Sequence, residues 1–131
     1  MTRGLRWIDK EALLLLHAES LAEHGGLEGL RDEGLLDSAL GRAQNIHVYE
    51  EVTDVARLAA AYGFGIAKNH PFADGNKRAA FLAVGLFLGL NGQRLVADKA
   101  DATRVVLAVA GGELSESDFA EWIRAHMKQR T

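Results

Sequence analysis

Apolar residues recur along this chain at intervals of three and four, and a few clusters of glycine and polar residues break the rhythm. From Asp9, placed as N-cap, the stretch through Leu13, Leu14 and Leu21 to His24 predicts a first helix, closed by Gly25-Gly26. A short second helix is predicted over Gly34 to Gln44. Val55, Leu58, Ala59, Tyr62, Ile66 and Ala67 share one face of a third, capped by Thr53 or Asp54 and ending near Asn69. Asn76 to Leu90 is apolar on all sides, which predicts a buried fourth helix at the centre of a bundle, with Asn91-Gly92 as its stop. Gln93 to Ala97 reads as a short extended connector and Asp98 to Ala110 as a fifth helix ending at Gly111-Gly112. Ser115 with Asp118 opens a last helix through Phe119, Trp122, Ile123 and Met127. With a single proline, Pro71, and almost no strand signal, the expected class is all-α.

Length and composition narrow the reading. The chain has 131 residues, enough for one core, so residues 1–131 form a single expected domain without repeat, linker or low-complexity segment. Hydrophobic residues make up 48% and charged residues 25%, which excludes a chain dominated by disorder. The absence of cysteine removes disulfides, thiolate nucleophiles and zinc–thiolate sites, and fits a reducing compartment. A net charge of -3 argues against wholesale electrostatic binding to nucleic acid. The apolar run Ala79–Leu90 falls short of the roughly 20 residues that span a bilayer, and the N-terminal stretch has no signal-peptide pattern. A cytoplasmic protein without membrane or direct nucleic-acid partners is the expectation.

Chemistry concentrates between the third and fourth helices, in His70-Pro71-Phe72-Ala73-Asp74-Gly75-Asn76-Lys77-Arg78. Lys77 and Arg78 occupy the first turn of a helix, where cations oppose the macrodipole at a cost of roughly 0.3–1 kcal/mol each. A bound polyphosphate reverses that sign, and backbone N–H groups at a helix start attract phosphate. Arg grips phosphate oxygens through a planar fork, and Lys adds a mobile point charge. Histidine is the side chain best suited to take a proton from a hydroxyl at neutral pH, so His70 is either a general base or a loop histidine packed under the bundle. Asp74 offers a hard oxygen ligand for Mg²⁺, or caps the turn. Gly75 permits close approach or positive φ, and Asn76 either caps the helix or donates to a phosphate. Lys68 either extends the cationic rim or is a solvated helix end; Phe72 anchors the loop, and Pro71 keeps Asn69-His70 out of helical geometry. A site at the start of a buried helix is held rigidly, as stabilisation by fixed dipoles requires. His17, His24, His47 and His126 lack metal-ligand spacing and are assigned to surface or satisfied core positions. Trp7 and Trp122 fit packing at the terminal helices, and Asp32, Glu33 and Asp37 fit a solvated helix start.

The loop resembles the Fic/Doc signature, HPFx[D/E]GNxR, at nearly every defined position. Gly29 to Leu40 is similar to the upstream segment of the Doc branch, and Phe87 to Gly92 to the end of its central helix. The resemblance implies a compact Fic/Doc helical bundle in which His70 is the base that activates a target protein's hydroxyl. Asp74 would hold Mg²⁺, and Gly75, Asn76, Lys77, Arg78 and the flanking Lys68 the phosphates of ATP. Fic proteins that transfer AMP continue as GNGRxxR; here Lys77 replaces the second Gly and Phe81 the final Arg. Both changes match the Doc branch, whose members resemble kinases that hold ATP in the reverse sense, with the γ-phosphate toward the hydroxyl. That branch implies a toxin of a toxin–antitoxin system acting on a threonine of elongation factor Tu, so that translation stops. The inhibitory pattern [S/T]xxxE[G/N] of many Fic proteins is missing: Ser117 to Glu121 has the spacing, but Trp122 follows. A Phd-like antitoxin acting in trans is therefore implied. The alternatives are AMP transfer to a protein hydroxyl and a non-catalytic Fic-fold binding module.

Overall fold

Small side chains set how closely the helices stack in the computed structural model, which describes residues 4–130. The chain runs α1 (Lys10–His24), α2 (Glu33–Glu50), α3 (Val55–Asn69), α4 (Asn76–Leu90), β1 (Gln93–Leu95), α5 (Lys99–Ala110), α6 (Glu116–His126) and β2 (Met127–Gln129). The class is all-α with one addition: β1 and β2 pair antiparallel, Gln93 opposite Gln129 and Leu95 opposite Met127. The connector expected over Gln93 to Ala97 and the helical turn expected at Met127 are thus strand in part. Three residues are too few to show an alternation.

α3 and α4 share the centre. Ala59, Ala60, Ala61 and Ala67 of α3 are buried, and its glycines let neighbouring helices close in. A Cβ at Gly63 would lie 2.8 Å from Val84 Cγ2 and 2.9 Å from Phe119 Cε2, and one at Gly65 would lie 3.2 Å from the Ala39 Cα. α4 buries Ala79, Ala80, Ala83, Val84, Phe87 and Leu88, whereas Phe81, Leu82, Leu86 and Leu90 stay half-buried and Gly85 is exposed. Its outer face, apolar in sequence, is therefore only partly covered. Tyr62, Phe72, Phe87 and Phe119 fill the remaining space, each ring contributing roughly 1.5–3 kcal/mol by burial. The buried Tyr62 hydroxyl accepts the Ile8 N–H at 3.2 Å, and burial raises its pKa.

Helix starts carry their own signals. The side chains of Asp32, Asp54, Asp98 and Ser115 accept backbone N–H bonds at the starts of α2, α3, α5 and α6, each typically worth about 1 kcal/mol. Asp32 is thus a cap rather than a solvated acid. Glu33 and Asp37 hold the Lys10 ammonium at 2.7 and 2.8 Å and tie α2 to α1, which raises the Lys10 pKa. α2 runs on past Gln44 to Glu50 because Leu36, Ala39, Ala43 and Ile46 form one continuous buried stripe. At the start of α6, Glu116 pairs with Arg42 of α2 and Arg57 of α3. Trp7 packs on Phe87 and His47, and Trp122 stacks on His126. The ring nitrogens Nδ1 of His47 and His126 donate to the carbonyls of Val52 and Trp122, both at 2.7 Å. Among the described residues no helix is long and apolar enough to cross a membrane.

Candidate active site

The α3–α4 loop takes its shape from two residues with left-handed backbone. His70 ends α3 at φ 52°, its N–H bonded to the Ile66 carbonyl at 3.1 Å. Asn69 remains helical, contrary to expectation; the clash with the Pro71 ring acts on the residue directly before proline, and His70 alone leaves the helix. A left-handed conformation is uncommon outside glycine and must be held from elsewhere. Arg31 does this: its Nε donates to the His70 carbonyl at 2.7 Å and its Nη2 to the Asn69 carbonyl at 2.8 Å. The backbone of residues 29–32 zips to the loop, with the Arg31 and Asp32 N–H groups on the Pro71 carbonyl and the Ala73 N–H on the Gly29 carbonyl. The His70 side chain is exposed and makes no hydrogen bond among the described residues.

Phe72 anchors the loop as expected. Fully buried, it lies stacked on His17 with ring centroids 3.8 Å apart. His17 is a satisfied core histidine whose Nε2 donates to the Asp74 carbonyl at 2.9 Å. Asn76 closes the loop from the other end: Oδ1 accepts the Phe72 N–H at 2.9 Å and Nδ2 donates to the Phe72 carbonyl at 3.1 Å. Its side chain therefore does not cap α4. Gly75, at φ 71°, is the N-cap, and a Cβ there would press against His17 Nε2 at 3.3 Å.

The first intrahelical bond of α4 runs from Ala79 N–H to the Gly75 carbonyl at 2.8 Å. The N–H groups of Asn76, Lys77 and Arg78 are left without acceptors among the described residues, a cradle for an anion. Lys77 and Arg78 are exposed beside it.

Asp74 is exposed at the rim of this cradle. Its carboxylate accepts the Leu27 N–H at 3.1 Å and the Gly75 N–H at 2.8 Å, and these bonds hold its pKa below the usual carboxylate range, with smaller help from the charges of Arg78 and His17. The chain passes under this carboxylate at Gly26 (φ 130°), where a Cβ would lie 3.0 Å from Oδ2 and 2.7 Å from Leu21 Cδ2. Each carboxylate oxygen keeps a lone pair beyond its one N–H bond. No cluster of three His, Asp or Glu stands among the described residues. One ionised carboxylate completed by phosphate oxygens and water is a common way of holding Mg²⁺, so the residues fit that ion.

His70, Asp74, Gly75, Asn76, Lys77 and Arg78 are thus brought together on one loop and one helical turn. Lys68 is not on it. It is exposed on α3, close to Gly112, and lines a different groove of about 370 Å³ with Arg42, Asn45 and Tyr49 of α2. Arg31, His17 and Gly26 were not singled out from sequence as site residues, although Arg31 lies inside the Gly29–Leu40 segment that resembles the Doc branch.

A model of the Fic/DOC family matches residues 7–88, a span that contains this loop and the segments bonded to it. The chain belongs to the Fic/Doc family. It is 37% identical over 120 residues to the protein named Protein kinase doc of Escherichia phage P1, covering 92% of this chain and 94% of that protein. It is 41% identical over 96 residues to Toxin Doc of Mycolicibacterium smegmatis, covering 70% of this chain and 69% of that one. The Fic/Doc loop and the Arg31 and His17 contacts that shape it fall within the matched span.

Proposed function

We propose that this Fic/Doc protein is the toxin of a toxin–antitoxin system, a protein kinase that moves the γ-phosphate of ATP to a Ser or Thr hydroxyl of a translation factor. The observation that carries this reading is the start of α4, where three N–H groups without acceptors among the described residues stand with the exposed Lys77 and Arg78 next to the ionised Asp74. Such a site suits a polyphosphate with one divalent cation. Mg²⁺ held by Asp74 and phosphate oxygens would neutralise charge on the phosphates. The chain's own part is positional: the loop holds the phosphates at fixed dipoles, and His70 takes the proton of the incoming hydroxyl. The hydroxyl oxygen bonds to the γ-phosphorus, the bond from that phosphorus to the bridging oxygen breaks, and ADP leaves. Lys77 and Phe81, standing where AMP-transferring members have Gly and Arg, favour this reading over AMP transfer.

Elongation factor Tu is the proposed target and a Phd-like antitoxin the proposed neutralising partner, both by resemblance to the Doc branch. A cytoplasmic location goes with such a target. His70→Ala tests the chemistry. The variant is expected to keep its fold and to bind ATP while losing target modification and growth arrest by at least about 100-fold, the typical worth of a general base. A folded His70→Ala protein with full activity would contradict the assignment.

A further inference from the structure

The groove lined by Lys68, about 370 Å³ in volume, runs between α2 and α3 on the side away from the N–H cradle. Its α2 wall extends from Ser38 to Glu50, which at about 1.5 Å per residue is about 18 Å of helix. Extended chain advances about 3.3 Å per residue, so a segment of about five residues fits along it. The α3 wall ends at Lys68 and Asn69, and Asn69 directly precedes His70, whose side chain is exposed. Between the ends, Phe64 contributes an aromatic face with the Arg42 guanidinium 5.6 Å over its ring. At the far end Val48 and Tyr49 are 65% and 82% exposed, large apolar side chains left in water next to each other on the last turn of α2. That turn is held in place. Glu51, which follows it, is left-handed at φ 56°, and His47 Nδ1 donates to the Val52 carbonyl at 2.7 Å across it.

We propose that this groove docks the protein substrate, as an extended segment of about five residues whose acceptor hydroxyl lies at the Lys68–Asn69 end, with a carboxylate side chain beside the acceptor and an apolar one against Tyr49. The inference rests on the phosphotransfer reading above and deepens it by describing the segment that the site accepts. Charge sets the direction of the segment. Lys68 at the His70 end and Glu50 at the far end make no ion pair among the described residues, whereas Arg42 between them is already engaged by Glu116. A segment with its acid near the acceptor meets the free cation; the reversed segment sets that acid against Glu50. Asn45 is exposed midway along the groove, and its side chain makes no hydrogen bond among the described residues. Its amide both donates and accepts, as pairing with one peptide unit of an extended chain requires. Lys68 thereby gains a role on the target side of His70, opposite the phosphates.

The test measures steady-state labelling of purified elongation factor Tu from ATP by the full chain, which separates KM for the protein substrate from kcat, together with ATP affinity by calorimetric titration. Tyr49→Ala removes the exposed anchor, and Asn45→Trp fills the groove from an exposed position without touching the core. Both are expected to raise KM for the target about tenfold, the usual worth of one interface anchor, with kcat and ATP affinity as in the parent. Lys68→Glu is expected to raise the same KM, and by less at high salt. KM unchanged in Tyr49→Ala and Asn45→Trp would overturn the inference and leave the groove to another occupant, such as a second copy of the chain. A loss of ATP affinity in Lys68→Glu would also overturn it, because the lysine would then serve the phosphates. A parent protein that leaves elongation factor Tu unlabelled, from the γ- and the α-phosphate alike, would refute the proposed function itself, and this inference with it.

Discussion

Arg31 holds the left-handed turn at His70 from outside the loop, by two hydrogen bonds to the carbonyls of residues 69 and 70. Arg31→Ala leaves those carbonyls to water and frees the turn. The expected loss is about 1–2 kcal/mol of stability in denaturant melts, and at least about tenfold in target modification because His70, the proposed base, is no longer positioned. Arg31→Lys keeps the charge but cannot span both carbonyls, and it should recover less activity than stability. A variant that loses stability and keeps full activity would show that the turn does not position His70. Asp74 makes a prediction in pH. Its folded pKa is depressed, so the stabilisation it brings is complete above the unfolded carboxylate value of about 3.9 and disappears as pH falls through the lower folded value. Asp74→Asn should flatten the acid limb of melting temperature against pH below about pH 4; an unchanged limb would refute the two N–H bonds as its cause. The loop residues His70 and Asp74 to Arg78, which the fold brings together, stood out in sequence because their types and spacing are unusual. Arg31 and His17 did not, since both act on backbone carbonyls brought near only by the fold.

Among the elements, α3 sets the spacing of its neighbours through glycine. Gly63→Ala would put a methyl group within 3 Å of Val84 and Phe119, and both side chains must shift. The expected cost is about 1–3 kcal/mol in equilibrium unfolding, with nucleotide binding retained in the folded fraction. No loss of stability would mean that α3, α4 and α6 are looser than their geometry implies. Helical periodicity and caps such as Asp54 and Ser115 read correctly from the sequence, because these helix starts satisfy an N–H group locally, whereas Asp9 precedes α1 without a side-chain cap bond. The end of α2 was not legible: Asn45, Ile46 and Val48 are weak helix formers, and burial of Ile46 overrides that preference. The β1–β2 pair joins residues far apart in sequence and has no local signature. Asn76 was assigned to capping or phosphate binding by residue type alone, whereas its amide is spent on both backbone groups of Phe72.

At the scale of the whole molecule, α1, the segment from residue 26 to 32, α3 and α4 meet at one loop and each fixes part of it. His17 supports it from below, the N–H groups of Leu27 and Gly75 hold the Asp74 carboxylate, Arg31 pins His70, and α4 presents its unbonded N–H groups. A site built this way is rigid before any ligand arrives, which is what transfer chemistry governed by position and charge requires. In-line attack places a single phosphorus opposite the incoming hydroxyl, which on the proposed reading His70 orients, so phosphate transfer and AMP transfer exclude one another in one bound nucleotide. The most direct measurement incubates the protein and a target, purified elongation factor Tu first, with ATP carrying label on either the γ- or the α-phosphate. Label on the target from the γ-position alone is the result expected; label from the α-position alone would contradict the kinase reading and establish AMP transfer in its place.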